Sequence, residues 1–123
     1  MHFSENNIAV VGVSLNKEKY GYKIFKDLKK NGYKVYGVNP RIDKFEDGTK
    51  IYKKLSEIPV KIDIVITVVP PQSSEKIVDE CIELGIKNIW FQPGSESKTA
   101  IEKSQKNGIK TTTACFMVHN KIW

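Results

Sequence analysis

The chain has 123 residues, enough for one domain spanning residues 1–123 whose core needs no disulfide or metal. Apolar residues make up 40% and charged residues 28%, which excludes a disordered chain; the longest mostly apolar run without a charge, Ile64 to Pro71, is far too short to cross a bilayer. The formal net charge of +6 comes from lysines spread along the chain and a single arginine, Arg41, which favours a solvated lysine face over nucleic-acid recognition.

The N-terminus, Met1 to Glu5, has neither the basic start nor the apolar stretch of a secretion signal, so a cytoplasmic location is expected. Asn7 to Gly12 reads as a short apolar strand, followed by a polar loop and a helix with Ile24, Phe25 and Leu28 on one face. Lys34 to Val38 is a second strand. The stretch from Ile42 to Pro59 reads as a loop with a turn at Asp47-Gly48, a strand-like piece at Ile51-Tyr52 and one helical turn near Leu55. Ile62 to Val69 is a third strand, and Ile77, Val78, Cys81 and Ile82 mark a helix that Ser73-Ser74-Glu75 would start. Asn88 to Phe91 is a fourth strand, Ser97 to Asn107 a weaker helix, and Lys110 to Thr113 a fifth strand.

Three junctions share one local grammar: Asn31-Gly32-Tyr33-Lys34, Leu84-Gly85-Ile86-Lys87 and Asn107-Gly108-Ile109-Lys110. Each stops a helix at a glycine and leads through one apolar residue and a lysine into a strand. Repeated βα units with continuously apolar strands predict an α/β fold: a doubly wound, mostly parallel, five-stranded Rossmann-like sheet in three αβα layers.

Ligands of such sheets bind at the carboxyl ends of the strands. Four exits form that edge here: Gly12-Val13-Ser14, Val38-Asn39-Pro40-Arg41, Val69-Pro70-Pro71 and Gln92-Pro93-Gly94. At the first, a glycine turn before a helix N-terminus suits a pyrophosphate, although an ordinary strand-to-helix turn reads the same way. It is not the dinucleotide fingerprint, because Ser14 stands where the second glycine would be and Gly21 follows only seven residues later. The second exit lacks the acid that accepts from the ribose in NAD sites. Instead, Pro40 and Arg41 suit an additional phosphate, either the 2′-phosphate of NADP or the 3′-phosphate of coenzyme A, or else form a plain solvated turn. The third exit offers a stiff apolar wall, and Gln92 with Gly94 supplies an amide and a turn at the fourth.

Ile8 to Ser14, Gly32 to Pro40 and Trp90 to Gly94 resemble the small single-domain CoA-binding proteins, in order and at matching spacing. Ile77 to Cys81 and Cys115 to Val118 are similar to that family too. These proteins share the nucleotide-binding domain of the succinyl-CoA synthetase alpha subunit. The resemblance implies coenzyme A, or an acyl-CoA, held across the strand ends. It implies that Gly12, Val13 and Ser14 line the pyrophosphate, with Lys19, Gly21 and Tyr22 closing the loop. It places Asn39, Pro40 and Arg41 on the adenosine phosphate side and Val69 and Pro70 over the adenine. Gly21-Tyr22 stands where many members have Ser-Tyr, and the synthetase's catalytic histidine lies in a second domain that the resemblance does not reach.

No nucleophile stands beside a base, and no two carboxylates are spaced to work as a pair, so no catalytic residue is assigned. Cys115 and His119, four residues apart, form a conceivable thiolate–imidazole pair, but a cysteine there reads more simply as an apolar filler. A zinc site would need Cys81, Cys115, His2 and His119 from distant places and is not expected. The expected function is binding without chemistry. An NADP-binding oxidoreductase fragment and a nucleic-acid-binding domain using the lysine surface are the alternatives. The apolar end, Ala114 to Trp123, reads as packing on its own domain or on a second subunit, as in a homodimer.

Overall fold

A computed structural model describes residues 5–123, and the readings that fall on Met1 to Ser4, including His2, lie outside the described residues. The chain runs β1 (Asn7–Val11), α1 (Tyr20–Lys30), β2 (Lys34–Val38), β3 (Ile51–Tyr52), a 3₁₀ turn (Leu55–Glu57) and β4 (Ile64–Thr67). It continues through α2 (Pro71–Leu84), β5 (Asn88–Phe91), α3 (Lys98–Lys106), β6 (Lys110–Thr113) and α4 (Phe116–His119). The six strands form one sheet in the order β3-β2-β1-β4-β5-β6, with all five pairings parallel. This is the doubly wound order, with its reversal between β1 and β4.

The strand count is six, not five. The piece at Ile51-Tyr52 joins the sheet as β3, in register with Gly37 and Val38 of β2. The strand-like character of Ile51-Tyr52 is legible in its two β-favouring residues, but its membership of the sheet comes from the pairing with β2.

The core has two halves, one on each face of the sheet. Ile24, Phe25 and Leu28 of α1 pack over Ile8 and Val10, together with Phe116 and Met117 of α4. Ile77, Val78 and Cys81 of α2 and Ala100 of α3 pack over Ala9, Val65 and Ile89 on the other face. Strands covered on both faces are buried along nearly their whole length, which is why β1 and β4 show no polar–apolar alternation. Burial pushes the Cys81 thiol up to about 12, which leaves it an inert part of this core. The end segment packs on its own domain, where Phe116 lies edge-on to Trp90 and the Trp123 indole donates 2.7 Å to Asp27.

The three helix stops close as their sequences predict: Gly32, Gly85 and Gly108 have φ of +83°, +72° and +75°. The start of α2 differs from expectation. It begins at Pro71 rather than at Ser73-Ser74-Glu75, because proline has no amide to lose at the first helical position. Ser74 lies inside the helix, fully buried, and donates 3.2 Å to the Thr67 hydroxyl. Asp63 accepts the Asn7 amide at 2.8 Å and so caps the start of β1. No helix among the described residues is long and apolar enough to cross a membrane.

Candidate functional site

The exits of β1, β2 and β4 meet at one cleft of about 490 Å³, a size suited to a small ligand. Of the residues predicted from sequence, Gly12, Asn39, Pro40, Arg41, Val69 and Pro70 line it. Gly12 takes φ +110°, and a Cβ there would stand 2.2 Å from the Val68 carbonyl oxygen, so β1 and β4 can part at this point only around a glycine.

Val13 and Ser14 follow Gly12 but do not line this cleft. The Val13 side chain is fully buried against Gly37, and the Gly12 and Val13 amides both donate to the Val38 carbonyl, at 2.9 and 3.4 Å. They are therefore spent on the sheet and not offered to an anion. The donors left at this exit lie farther on. The amides of Ser14, Leu15 and Lys17 have no acceptor among the described residues. The Ser14 hydroxyl accepts from the Asn16 amide at 3.0 Å and shapes this loop before the N-terminus of α1. Lys19 is exposed at the N-cap of α1.

Gly21 is buried in the first turn of α1, where it lets the helix lie directly on the Gly12 carbonyl. Tyr22 points away from the cleft. Its hydroxyl donates 2.7 Å to Glu46, and its ring packs on Phe45 with centroids 5.2 Å apart. Gln92 is buried, and its side-chain oxygen accepts the Phe116 amide at 2.7 Å, which fastens the end segment to β5. Gly94 is exposed, with its amide on the Glu96 carboxylate. Tyr22, Gln92 and Gly94 therefore stand apart from the cleft.

Asn39 ties the first two exits together. Its side-chain amide donates 2.7 Å to the Val13 carbonyl, its oxygen accepts the Arg41 amide at 2.8 Å, and its own amide donates to Tyr52 at 2.9 Å. The turn that carries Arg41 is thus fixed, while the guanidinium side remains exposed. Val11, Val38, Val69, Pro70 and Ile77 give the cleft apolar walls.

A second wall escaped the sequence reading. Ser73, Lys76, Ile77 and Glu80 of α2 line the cleft, facing Lys53 and Lys54 that follow β3. Their spacing of three, four and seven residues is a helical stripe, which becomes readable only once α2 is known to start at Pro71. Lys53 is partly committed, at 2.6 Å from Asp43, whose carboxyl it holds below the usual carboxylate range. Arg41, Lys54 and Lys76 have no ion pair within 4 Å among the described residues. Exposed cations beside an apolar slot can hold a phosphorylated molecule with a flat, apolar part, and coenzyme A has both features.

Near the C-terminus, His119 lies edge-on to Trp90, with centroids 5.2 Å apart, and Cys115 is the half-buried N-cap of α4.

Comparison with known proteins agrees with this chemistry. The family model described as "CoA binding domain" matches residues 6–121. The alpha subunit of ADP-forming acetate–CoA ligase II from Pyrococcus furiosus is 42% identical over 119 residues, 88% of this chain and 26% of the subunit. An uncharacterized protein from Bacillus subtilis is 30% identical over 82% of this chain and 74% of its own length. The solved structure of a conserved hypothetical protein from Pyrococcus furiosus, 40% identical, superposes with a TM-score of 0.87 over 93% of this chain and 98% of that one. The chain thus spans about a quarter of the ligase subunit it matches. A match across nearly all the described residues, on a sheet with this cleft at its switch point, places the chain in the CoA-binding domain family, with coenzyme A as its cofactor.

Proposed function

We propose that the chain works as one domain that holds coenzyme A, free or acylated, across the exits of β1, β2 and β4 and performs no chemistry of its own. The observation that carries this reading is the single cleft in which Gly12, the Arg41 turn and the Val69-Pro70 wall come together with Lys54 and Lys76. In this arrangement the pyrophosphate lies at the loop from Ser14 to Lys17, where the Ser14, Leu15 and Lys17 amides have no acceptor among the described residues, near the N-terminus of α1. The 3′-phosphate meets Arg41, and the adenine lies against Val69, Pro70 and Ile77. Lys19 and Gly21 shape the pyrophosphate loop without lining the adenosine cleft.

A relative of this chain is named as a ligase alpha subunit, which supports a role beside a partner that supplies the reaction.

Thermal unfolding with coenzyme A, dephospho-CoA and NADPH tests the proposal. A ligand at 100 times its Kd adds about 2.7 kcal/mol, which raises the midpoint by roughly 10 °C for a domain of this size. Coenzyme A should give that shift, dephospho-CoA a smaller one and NADPH none. Arg41→Ala should narrow the gap between the first two by about ten-fold in affinity, the scale of one charge-assisted phosphate contact. No shift with coenzyme A would refute the proposal, and equal affinity for both forms of the ligand would remove Arg41 from its role.

A further inference from the structure

We propose that Glu80 determines the base specificity of the cleft by accepting a hydrogen bond from the exocyclic amine of adenine. The inference rests on the cleft being the adenosine end of a coenzyme A site. Ser73, Lys76, Ile77 and Glu80 form one stripe of α2, and the seven helical steps from Ser73 to Glu80 span roughly 10 Å. The stripe begins beside the strand exits and runs away from them along the cleft. Charge changes sign along the way. Arg41, Lys54 and Lys76 are cationic, and Glu80 is the single carboxylate in the lining.

Glu80 is half-buried, and no cation lies within 4 Å of it among the described residues. One of its oxygens accepts a long hydrogen bond, 3.4 Å, from the Ser56 amide, and the other has no partner among the described residues. A carboxylate without a counter-ion repels a phosphate, so it belongs where the ligand presents a donor. The adenosine part of coenzyme A carries its phosphates at the ribose and its 6-amine on the far edge of the base. That polarity matches the α2 wall of the cleft, where the Lys76 cation stands one turn nearer the exits than the Glu80 carboxylate. A carboxylate at this edge also rejects a 6-oxo purine, because two acceptors would then face each other.

The test compares coenzyme A with 1,N6-etheno-CoA, whose extra ring removes the amine donor. Titration calorimetry on the full chain, Glu80→Ala and Glu80→Gln gives the affinities, and unfolding without ligand shows that each variant is folded. The wild-type chain should bind coenzyme A roughly ten-fold tighter than the etheno form. Glu80→Ala should abolish this preference by weakening coenzyme A alone, and Glu80→Gln, which keeps an acceptor oxygen, should retain part of it. A preference that persists in Glu80→Ala would reflect only the bulk of the extra ring and would overturn the proposal. Tighter binding of coenzyme A by Glu80→Ala would also overturn it, since the carboxylate would then face a phosphate. Equal binding of both ligands by the wild-type chain defeats the role of Glu80 alone, whereas failure to bind coenzyme A at all defeats the proposed function with it.

Discussion

A Cβ placed on Gly21 would stand 2.0 Å from the carbonyl oxygen of Gly12. The first turn of α1 therefore lies directly on the exit of β1, a closeness that in dinucleotide-binding folds falls to the third glycine of the fingerprint. Gly21 fills that packing role from a longer loop. Gly21→Ala should cost about 3 kcal/mol, because the opposing atom is backbone and cannot swing aside. The unfolding midpoint should drop by roughly 10 °C and the stabilisation by coenzyme A should shrink with it. Gly37→Ala is the control. Its Cβ would meet the Ile51 Cδ1 at 2.7 Å, the Val13 Cγ2 at 2.9 Å and the Phe25 ring at 3.1 Å, side-chain atoms of which the Ile51 end can turn aside, so it should cost less than Gly21→Ala without being silent. A Gly21 variant as stable as the wild type would show that α1 is not held at this distance.

Asn39 joins Val13, Arg41 and Tyr52 through three hydrogen bonds. Asn39→Ala should destabilise the chain by about 1–3 kcal/mol in denaturant unfolding, since the Val13 carbonyl loses its donor. Asn39→Asp keeps an acceptor for the Arg41 amide but turns a carboxylate oxygen towards the Val13 carbonyl, so it should be no more stable than the alanine variant. Both should weaken coenzyme A several-fold in a calorimetric titration. Unchanged stability in both variants would mean that the two exits hold their positions without this side chain.

Gln92 gives the opposite pattern. Gln92→Leu leaves the buried Phe116 amide without its acceptor and should cost about 1–3 kcal/mol. Coenzyme A affinity should stay within about two-fold, because Gln92 stands outside the cleft. A large loss of affinity at unchanged stability would return Gln92 to the ligand.

Acid should loosen the connection between β2 and β3. The Tyr22 hydroxyl, with the Lys26 ammonium nearby, holds the Glu46 carboxyl below its usual range. Lys53 does the same for Asp43, and hydrogen bonds from Thr49 for Asp47. Carboxyls depressed in the folded state contribute stability above their ordinary range, about 3.9 to 4.3, and lose it as the pH falls through the lower folded values. Unfolding midpoints measured from pH 7 to pH 3 should therefore hold steady and then fall below about pH 4. Glu46→Gln should flatten the lower part of that curve, and an identical slope in the variant would exclude this carboxyl as a cause.

The sequence alone determined the alternation of strands and helices, the parallel doubly wound sheet and the sheet edge at which the cleft opens. Those features depend on neighbours along the chain: the apolar runs of β1 and β4, and the left-handed stops at Gly32, Gly85 and Gly108. Six of the residues named from sequence, from Gly12 to Pro70, do line the cleft. Tertiary structure decided the rest. Tyr22 meets Glu46 and Gln92 meets Phe116, each across 24 residues, so neither side chain's direction could be read locally. The strand-like piece at Ile51-Tyr52 found its place in the sheet only by pairing with β2, and the stripe of Ser73, Lys76, Ile77 and Glu80 became a wall only when α2 settled beside the 3₁₀ turn of Leu55–Glu57. Backbone preference is set by the few residues around a position, whereas the partner a side chain finds is set by how distant segments pack.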